Sequence, residues 1–90
     1  MPNISIVMSV FNEEKNITRC IESVLKQSYQ NYEFLIFDDN SDDNTKKILK
    51  KYEKENKKIK CYFSKKNWGL TKALNFLIQR SKGKYIARID

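Results

Sequence analysis

At 90 residues the chain is the size of one domain, with room for a modest core and none for a second. Its hydrophobic share of 40% is ordinary for a globular protein, and no apolar run approaches the ~18 residues of a membrane-spanning helix. Eighteen basic residues against eleven acidic ones give a net charge of +7, and histidine is absent, which excludes imidazole metal ligands and His-based acid–base catalysis within these residues.

The positive charge points first to nucleic acid or an anionic membrane surface. The lysines are uneven, however: Lys46, Lys47, Lys50, Lys51, Lys54, Lys57 and Lys58 crowd one segment. The plainer reading is the solvated face of a lysine-rich helix. Cys20 and Cys61 are too few for a zinc site and read as two buried thiols rather than a disulfide. Met1-Pro2-Asn3 gives no basic lead into the apolar run that follows, so no signal peptide is read and a cytoplasmic location is the expectation.

Ile4 to Phe11 is β-branched and apolar, the pattern of a strand buried on both faces. Asn12 is placed to cap a helix with Glu13 and Glu14 in its first turn. Ile17, Ile21, Val24 and Leu25 then recur at helical spacing, ending near Gln27 or Ser28. Tyr29 to Tyr32 reads as a turn. Glu33 to Asp38 is a second buried strand that stops at the acidic loop Asp38-Asp39-Asn40-Ser41-Asp42-Asp43, where Ser41 to Asp43 cap a helix starting near Asn44. Ile48, Leu49 and Tyr52 are its apolar stripe. Lys60 to Ser64 is a third strand and Lys65 to Gly69 a loop. Leu70, Ala73, Leu74, Leu77 and Ile78 mark a third helix, broken by Ser81-Lys82-Gly83, and Lys84 to Asp90 is a fourth strand.

This alternation predicts an α/β fold, a Rossmann-like β-α-β-α-β-α-β parallel sheet with helices on both faces. Ligands in such sheets bind at the carboxyl ends of the strands. Those ends carry Ser9, Phe11 and Glu13, then Asp38-Asp39, then Asn67-Trp68-Gly69, and finally Asp90. With two glycines the chain has no GxGxxG and no GxxxxGK[ST], so a nucleotide would be held without a glycine cradle. A carboxylate such as Asp39 can accept from a base or ribose, an aromatic ring such as Phe11 can stack on the base, and Asp90 suits a ribose or metal-linked role.

The residues at these ends carry a family resemblance. I-S-I-V-M-S-V-F-N-E from Ile4 resembles the opening strand of the family-2 glycosyltransferases of GT-A fold. S-V-L-K-Q-S-Y-Q-N-Y-E-F-L-I-F-D-D-N-S-D-D-N-T from Ser23 resembles that family's most recognisable block. N-W-G-L-T-K-A-L-N and G-K-Y-I-A-R-I-D resemble the approach to its Asp-x-Asp metal motif. The resemblance covers essentially the whole chain. It implies that residues 1–90 are the nucleotide-sugar-binding part of a glycosyltransferase domain, the N-terminal half of a GT-A fold, reaching the first aspartate of the motif at Asp90. It further implies an inverting transfer from a nucleotide-diphosphate sugar to the hydroxyl of a glycan or lipid-linked acceptor in polysaccharide or glycan synthesis. Mg²⁺ or Mn²⁺ would be bound with Asp90, and the protein would work at the cytoplasmic membrane face. By position, Ser9 and Phe11 line the base pocket, with phenylalanine where the family usually has tyrosine. Asp39 contacts the base, Asp38 closes the strand, Lys72 approaches the diphosphate, and the catalytic base is expected downstream.

Plainer roles stand beside these. Phe11 fits a core, Ser9 a filler beside a turn, Glu13 compensation of a helix dipole, Trp68 a cover for the third helix, and Lys72 a solvated helix position. Two other functions compete with transfer. A receiver-like signalling module would carry its acidic pair after the first strand and a phospho-accepting aspartate after the third, unlike this chain. A nucleic-acid-binding domain would interleave aromatic and basic residues, and no such pattern is found.

Overall fold

The computed structural model describes residues 1–90. Four strands and three helices alternate: β1 (Ile4–Val10), α1 (Ile17–Lys26), β2 (Tyr32–Asp38), α2 (Thr45–Glu55), β3 (Ile59–Phe63), α3 (Leu70–Arg80) and β4 (Tyr85–Ile89). The strands form one parallel sheet in the order β3-β2-β1-β4. From β1 the chain steps to β2 and β3 in one direction, then returns across the sheet to place β4 on the far side of β1. With crossovers of a single hand, that reversal sends the connecting helix to the opposite face. α1 and α2 accordingly share one face and α3 takes the other, as the alternation predicts.

Period-two alternation along the strands supplies both faces. Ile6, Met8, Val10, Phe34 and Ile36 meet Ile17, Ile21, Val24 and Leu49 on one side. Val7, Leu35 and Phe37 meet Ala73, Leu74 and Leu77 on the other. β2 is buried along its whole length, so Phe34 to Phe37 read as an unbroken apolar run rather than an alternating one. Burying each of those side chains contributes roughly 1.5–3 kcal/mol.

Element boundaries differ from expectation where tertiary contacts override local signals. α1 starts at Ile17, not at Asn12, and no acidic residue lies in its first turn. Asn12 instead adopts a left-handed backbone (φ 50°), a conformation asparagine tolerates, and its side-chain oxygen accepts the N–H of Asp42 at 2.9 Å. Tyr32 belongs to β2 rather than to a turn, because it pairs with Ile4 and its side chain is buried in the core on the α1–α2 face. Leu70 and Ile78 were expected on the buried stripe of α3, yet they are 52% and 44% exposed; the core takes Ala73, Leu74 and Leu77 alone. Cys20 and Cys61 are free, half-buried thiols.

Two polar ties brace the sheet. The Tyr52 hydroxyl donates to Glu22 at 2.6 Å, joining α2 to α1 and pushing the phenol up to about 12. At the amino ends of the strands, the buried Ser5 hydroxyl donates to Glu33 at 2.6 Å, and Glu33 also accepts the N–H of Lys82. Gly83 donates its N–H to Ser5 at 2.8 Å and sits so close that a Cβ there would lie 2.6–2.7 Å from backbone atoms of Ser5 and Ile4.

Two predictions follow from these ties. Gly83→Ala forces β1 and the α3–β4 turn apart, and should lower unfolding stability by about 1–3 kcal/mol in urea titration with an unchanged slope; an unchanged midpoint contradicts the close approach. The Tyr52 phenol holds its proton more tightly folded than unfolded, so its contribution is complete below pH ~10 and is lost as pH rises towards 12. The melting temperature should therefore fall through that window, and fall less in Tyr52→Phe.

Candidate functional site

The reversal of strand order makes a crevice between the carboxyl ends of β1 and β4, where a doubly wound sheet is open to ligands. A cleft of about 240 Å³ occupies it, lined by Met8, Ser9, Val10, Phe11, Glu13, Asn16, Ile17, Cys20 and Asp90. Four of the six residues singled out from sequence, Ser9, Phe11, Glu13 and Asp90, thus meet in one place. Phe11 is 47% exposed, so its ring is a wall and not core. Cavities that hold a whole drug-sized ligand run to roughly 300–1,000 Å³. This cleft is the size of one moiety, a base or a sugar ring, with the remainder of a ligand outside it.

The loops around the cleft hold one another by backbone hydrogen bonds. Asn12 N–H donates to Ser41 Oγ at 2.8 Å, and Glu13 N–H to Thr45 Oγ1 at 2.9 Å. Asp43 accepts the N–H of Thr45 with one carboxylate oxygen and that of Glu14 with the other. Its carboxyl is held below the usual range: desolvation pushes it up, and the hydrogen bonds from Thr45 and Glu14 outweigh that push. Ser41 to Asp43 were expected to cap α2, but the cap position is Asn44 and its side chain makes no capping bond; Asp43 holds only the first helical N–H, and Ser41 and Thr45 are drawn off to fasten the β1–α1 loop.

Asp38 and Asp39 point to opposite faces of the sheet. Asp38 lies beneath the start of α2, fully buried, where one carboxylate oxygen accepts Ser41 N–H at 3.1 Å and the other has no partner. Its main-chain carbonyl accepts from both the N–H and the hydroxyl of Ser64. Asp39 N–H donates to Val10 at 2.8 Å, and its carbonyl accepts from the Asn67 side chain. Its carboxylate, only 8% exposed as a residue, accepts the N–H of Trp68 at 2.6 Å and of Gly69 at 3.1 Å. Gly69 has φ 90° and ψ 159°, a backbone essentially restricted to glycine, and it opens α3. A carboxylate at that helix start is also favoured by the helix dipole.

Asp39 and Lys72 therefore lie apart from the cleft residues, across the sheet rim on the α3 side. Trp68 packs at a tilt against Phe37, ring centres 4.9 Å apart, and meets Phe76 edge-on at 5.4 Å, covering the α3 face as its plainer role implied, and the exposed Lys72 ammonium lies 5.4 Å from its ring centre. The Val10–Asp39 hydrogen bond joins the two groups. Asp90 is exposed and paired with Arg88 at 2.6 Å. No three acidic or cysteine side chains gather in the chain, so a divalent ion at this edge would find Asp90 as a lone carboxylate.

The supporting residues carry no local signature of their roles. Asn67, Ser41 and Thr45 look like ordinary loop and cap residues, and only long-range pairing gives them their roles. Asn16 and Cys20 reach the cleft because α1 begins late. The glycine after Trp68 was the one local signal for the α3 start. Asp39→Ala should orphan two backbone donors and cost about 1–3 kcal/mol in urea unfolding. Trp68 fluorescence should shift to the red before the main transition; coincident transitions would show that Asp39 does not anchor this loop.

Comparison with known proteins identifies the architecture. A family model described as "Glycosyl transferase family 2" matches residues 5–90. EpsE of Bacillus subtilis, assigned as a glycosyltransferase, is 39% identical over 90 residues, covering 99% of this chain and 32% of its own length. GlyG of Streptococcus pneumoniae, a glycosyltransferase, is 33% identical over 87 residues, covering 97% and 29%. The chain thus spans about a third of the length of these relatives. TarS of S. aureus, residues 1–349, superimposes with a TM-score of 0.88 at 28% identity, over 100% of this chain and 27% of that one, and has been solved with UDP. The mannosyltransferase PcManGT of Pyrobaculum calidifontis shares the fold at a TM-score of 0.85 and 18% identity, over 94% and 26%. Neither the receiver-like nor the nucleic-acid alternative finds support among these matches. With its four parallel strands, its helices on both faces and a family model matched from Ser5 to Asp90, the chain belongs to glycosyl transferase family 2.

Proposed function

We propose that these 90 residues form the donor half of an inverting glycosyltransferase, which binds a nucleotide-diphosphate sugar for transfer to an acceptor hydroxyl in polysaccharide or glycan synthesis. The observation that carries the reading is the meeting of Ser9, Phe11, Glu13 and Asp90 in one cleft at the strand-order reversal of a family-2 chain. TarS, at 28% identity, binds UDP in a solved complex, which supports a nucleoside diphosphate as the ligand class.

In this reading the exposed face of Phe11 stacks on the base and the Ser9 edge and Glu13 bound the pocket. Asp39 has a double task. Two of its lone pairs hold the Trp68-Gly69 backbone; from the α3 side of the rim it would accept from the part of the base that extends beyond the cleft. Lys72, on the first turn of α3, offers a charge to the diphosphate. Asp90 would hold Mg²⁺ or Mn²⁺ together with the phosphates, giving up its Arg88 pair; the ion would neutralise the departing diphosphate. The base that deprotonates the acceptor hydroxyl is assigned outside these residues. A glycan or lipid-linked acceptor is the expected partner, and the cytoplasmic membrane face the expected place of work. No helix is long and apolar enough to cross a membrane.

Cys20 gives a direct test because it lines the cleft, whereas Cys61 does not. Both thiols resist ionisation: burial and then Glu13 push Cys20 up, and burial, Glu53 and Asp38 push Cys61 up to about 12. At pH 9, alkylation should therefore mark Cys20 slowly and Cys61 hardly at all in the folded chain. UDP, GDP, CDP or dTDP with Mn²⁺ should raise the melting temperature and slow Cys20 alkylation at least threefold, with Phe11→Ala abolishing both. Failure of all four to protect Cys20 would sink the assignment of this cleft, and sugar transfer by the 90-residue chain would sink the assignment of the base.

A further inference from the structure

The net charge of the chain is not spread over it. Residues 46–66 hold ten lysines against Glu53 and Glu55 alone, while the rest of the chain has eight basic and nine acidic groups. The entire excess therefore sits on α2, β3 and the turns at their ends. Lys47, Lys50, Lys51 and Lys54 recur at i, i+3, i+4 and i+7, the spacing that lines up one helix face, and all four are exposed. Thr45 and Leu49 bury the opposite side. Beyond the helix the basic surface continues through Lys57 to the exposed Lys60 of the edge strand β3.

These charges are left without acidic partners. The single salt bridge of the molecule is Arg88–Asp90, at the other edge of the sheet. Glu53, which could serve the stripe, accepts the N–H of Cys61 at 2.7 Å. Like charges at i, i+4, here Lys47 with Lys51 and Lys50 with Lys54, weaken a helix. The stripe thus opposes the stability of the element that carries it and adds nothing to the core. The ten cations are all lysine; the three arginines, Arg19, Arg80 and Arg88, lie elsewhere. Lysine is a strongly hydrated point charge suited to diffuse attraction, whereas arginine is preferred for forked phosphate and base recognition. The two rings near the stripe are both engaged, Tyr52 turned to Glu22 and Phe63 packed on the core with the Lys50 ammonium 5.4 Å over it, so there is no open stacking platform for bases. The face is a convex helix surface flanked by an edge strand, on the opposite edge of the sheet from β4 and the cleft beside it.

We propose that the lysine face of α2, extended by the β3 edge, is an electrostatic docking surface for an anionic lipid bilayer. It would hold the chain peripherally, by charge and without insertion, with the β1–β4 cleft left free. The inference rests on the distribution of charge and stands apart from the donor-site reading.

The test is sedimentation of the 90-residue chain with vesicles of phosphatidylglycerol and phosphatidylcholine, against vesicles of phosphatidylcholine alone. Binding is expected to the anionic vesicles only, and to fall at least tenfold between 0.1 and 0.5 M salt. Replacing the stripe by K47Q, K50Q, K51Q and K54Q together should weaken it by roughly 600-fold, since each lysine near such a surface contributes roughly fivefold. A matched set outside the stripe, K15Q, K26Q, K82Q and K84Q, should change it by less than about fivefold, the share of a single lysine. The stripe variant should keep its helical circular dichroism, melt no lower than the parent chain and retain any nucleotide-dependent thermal shift. Equal loss in the two sets, equal binding to neutral vesicles, or displacement from vesicles by a DNA duplex at physiological salt would each overturn the proposal. The lipid and salt dependence of the unaltered chain decides it should the stripe variant fold poorly.

Discussion

The dipeptide Asp38-Asp39 is the point on which the rest of the carboxyl edge depends. Because side chains alternate across a strand, two adjacent aspartates at the end of β2 serve two faces. One carboxylate goes under α2, the other fixes the start of α3, and their main-chain atoms bond to Val10, Ser64 and Asn67. Three loops that are distant in sequence are thereby referred to one rigid, fully buried strand. Loop positions set by so few groups are accurate only if those groups cannot move, and burial of β2 and of Asp39 just beyond it meets that requirement. The second carboxylate oxygen of Asp38 is buried without a protein partner.

The fold was readable because its signals are repeated and local. Four apolar runs alternating with three helical stripes admit little besides a parallel α/β sheet, and the side-switch of α3 then follows from connection handedness. What could not be read were features that depend on contacts between segments. Asn12 has every mark of a helix cap, yet Ser41 and Asp42 draw it into a left-handed turn and delay α1 to Ile17. Leu70 and Ile78 have the right spacing for a core stripe, but the single α3 helix covers only part of its sheet face, and its two flanking apolar residues stay outside.

The site was legible to a similar depth. Position at strand ends, supported by the family pattern, brought Ser9, Phe11, Glu13 and Asp90 into one list, and the structure brings them into one cleft. The same reasoning grouped Asp39 and Lys72 with them, whereas the pleat directs Asp39 to the α3 side, beside Trp68. A residue's place along a strand can be counted from sequence; the face on which a neighbouring loop will meet it cannot, because that is decided by where the next crossover helix lands.

The strand order has a consequence for how the molecule is assembled. β1 lies at the centre of the sheet, but its two neighbours are acquired at very different chain separations: β2 follows after one helix, whereas β4 arrives only after the entire remaining chain, with Gly83 meeting Ser5 across 78 positions. Closing so long a loop is the largest entropic step in the topology, and long-range parallel pairing is slow to form. The β1-β2-β3 unit with α1 and α2 can build its own core before β4 docks. The crevice at Ser9 and Asp90 depends on that long-range pairing, and any agent that frays β4 from β1 would dismantle the cleft while the contacts among β1, β2, α1 and α2 remain.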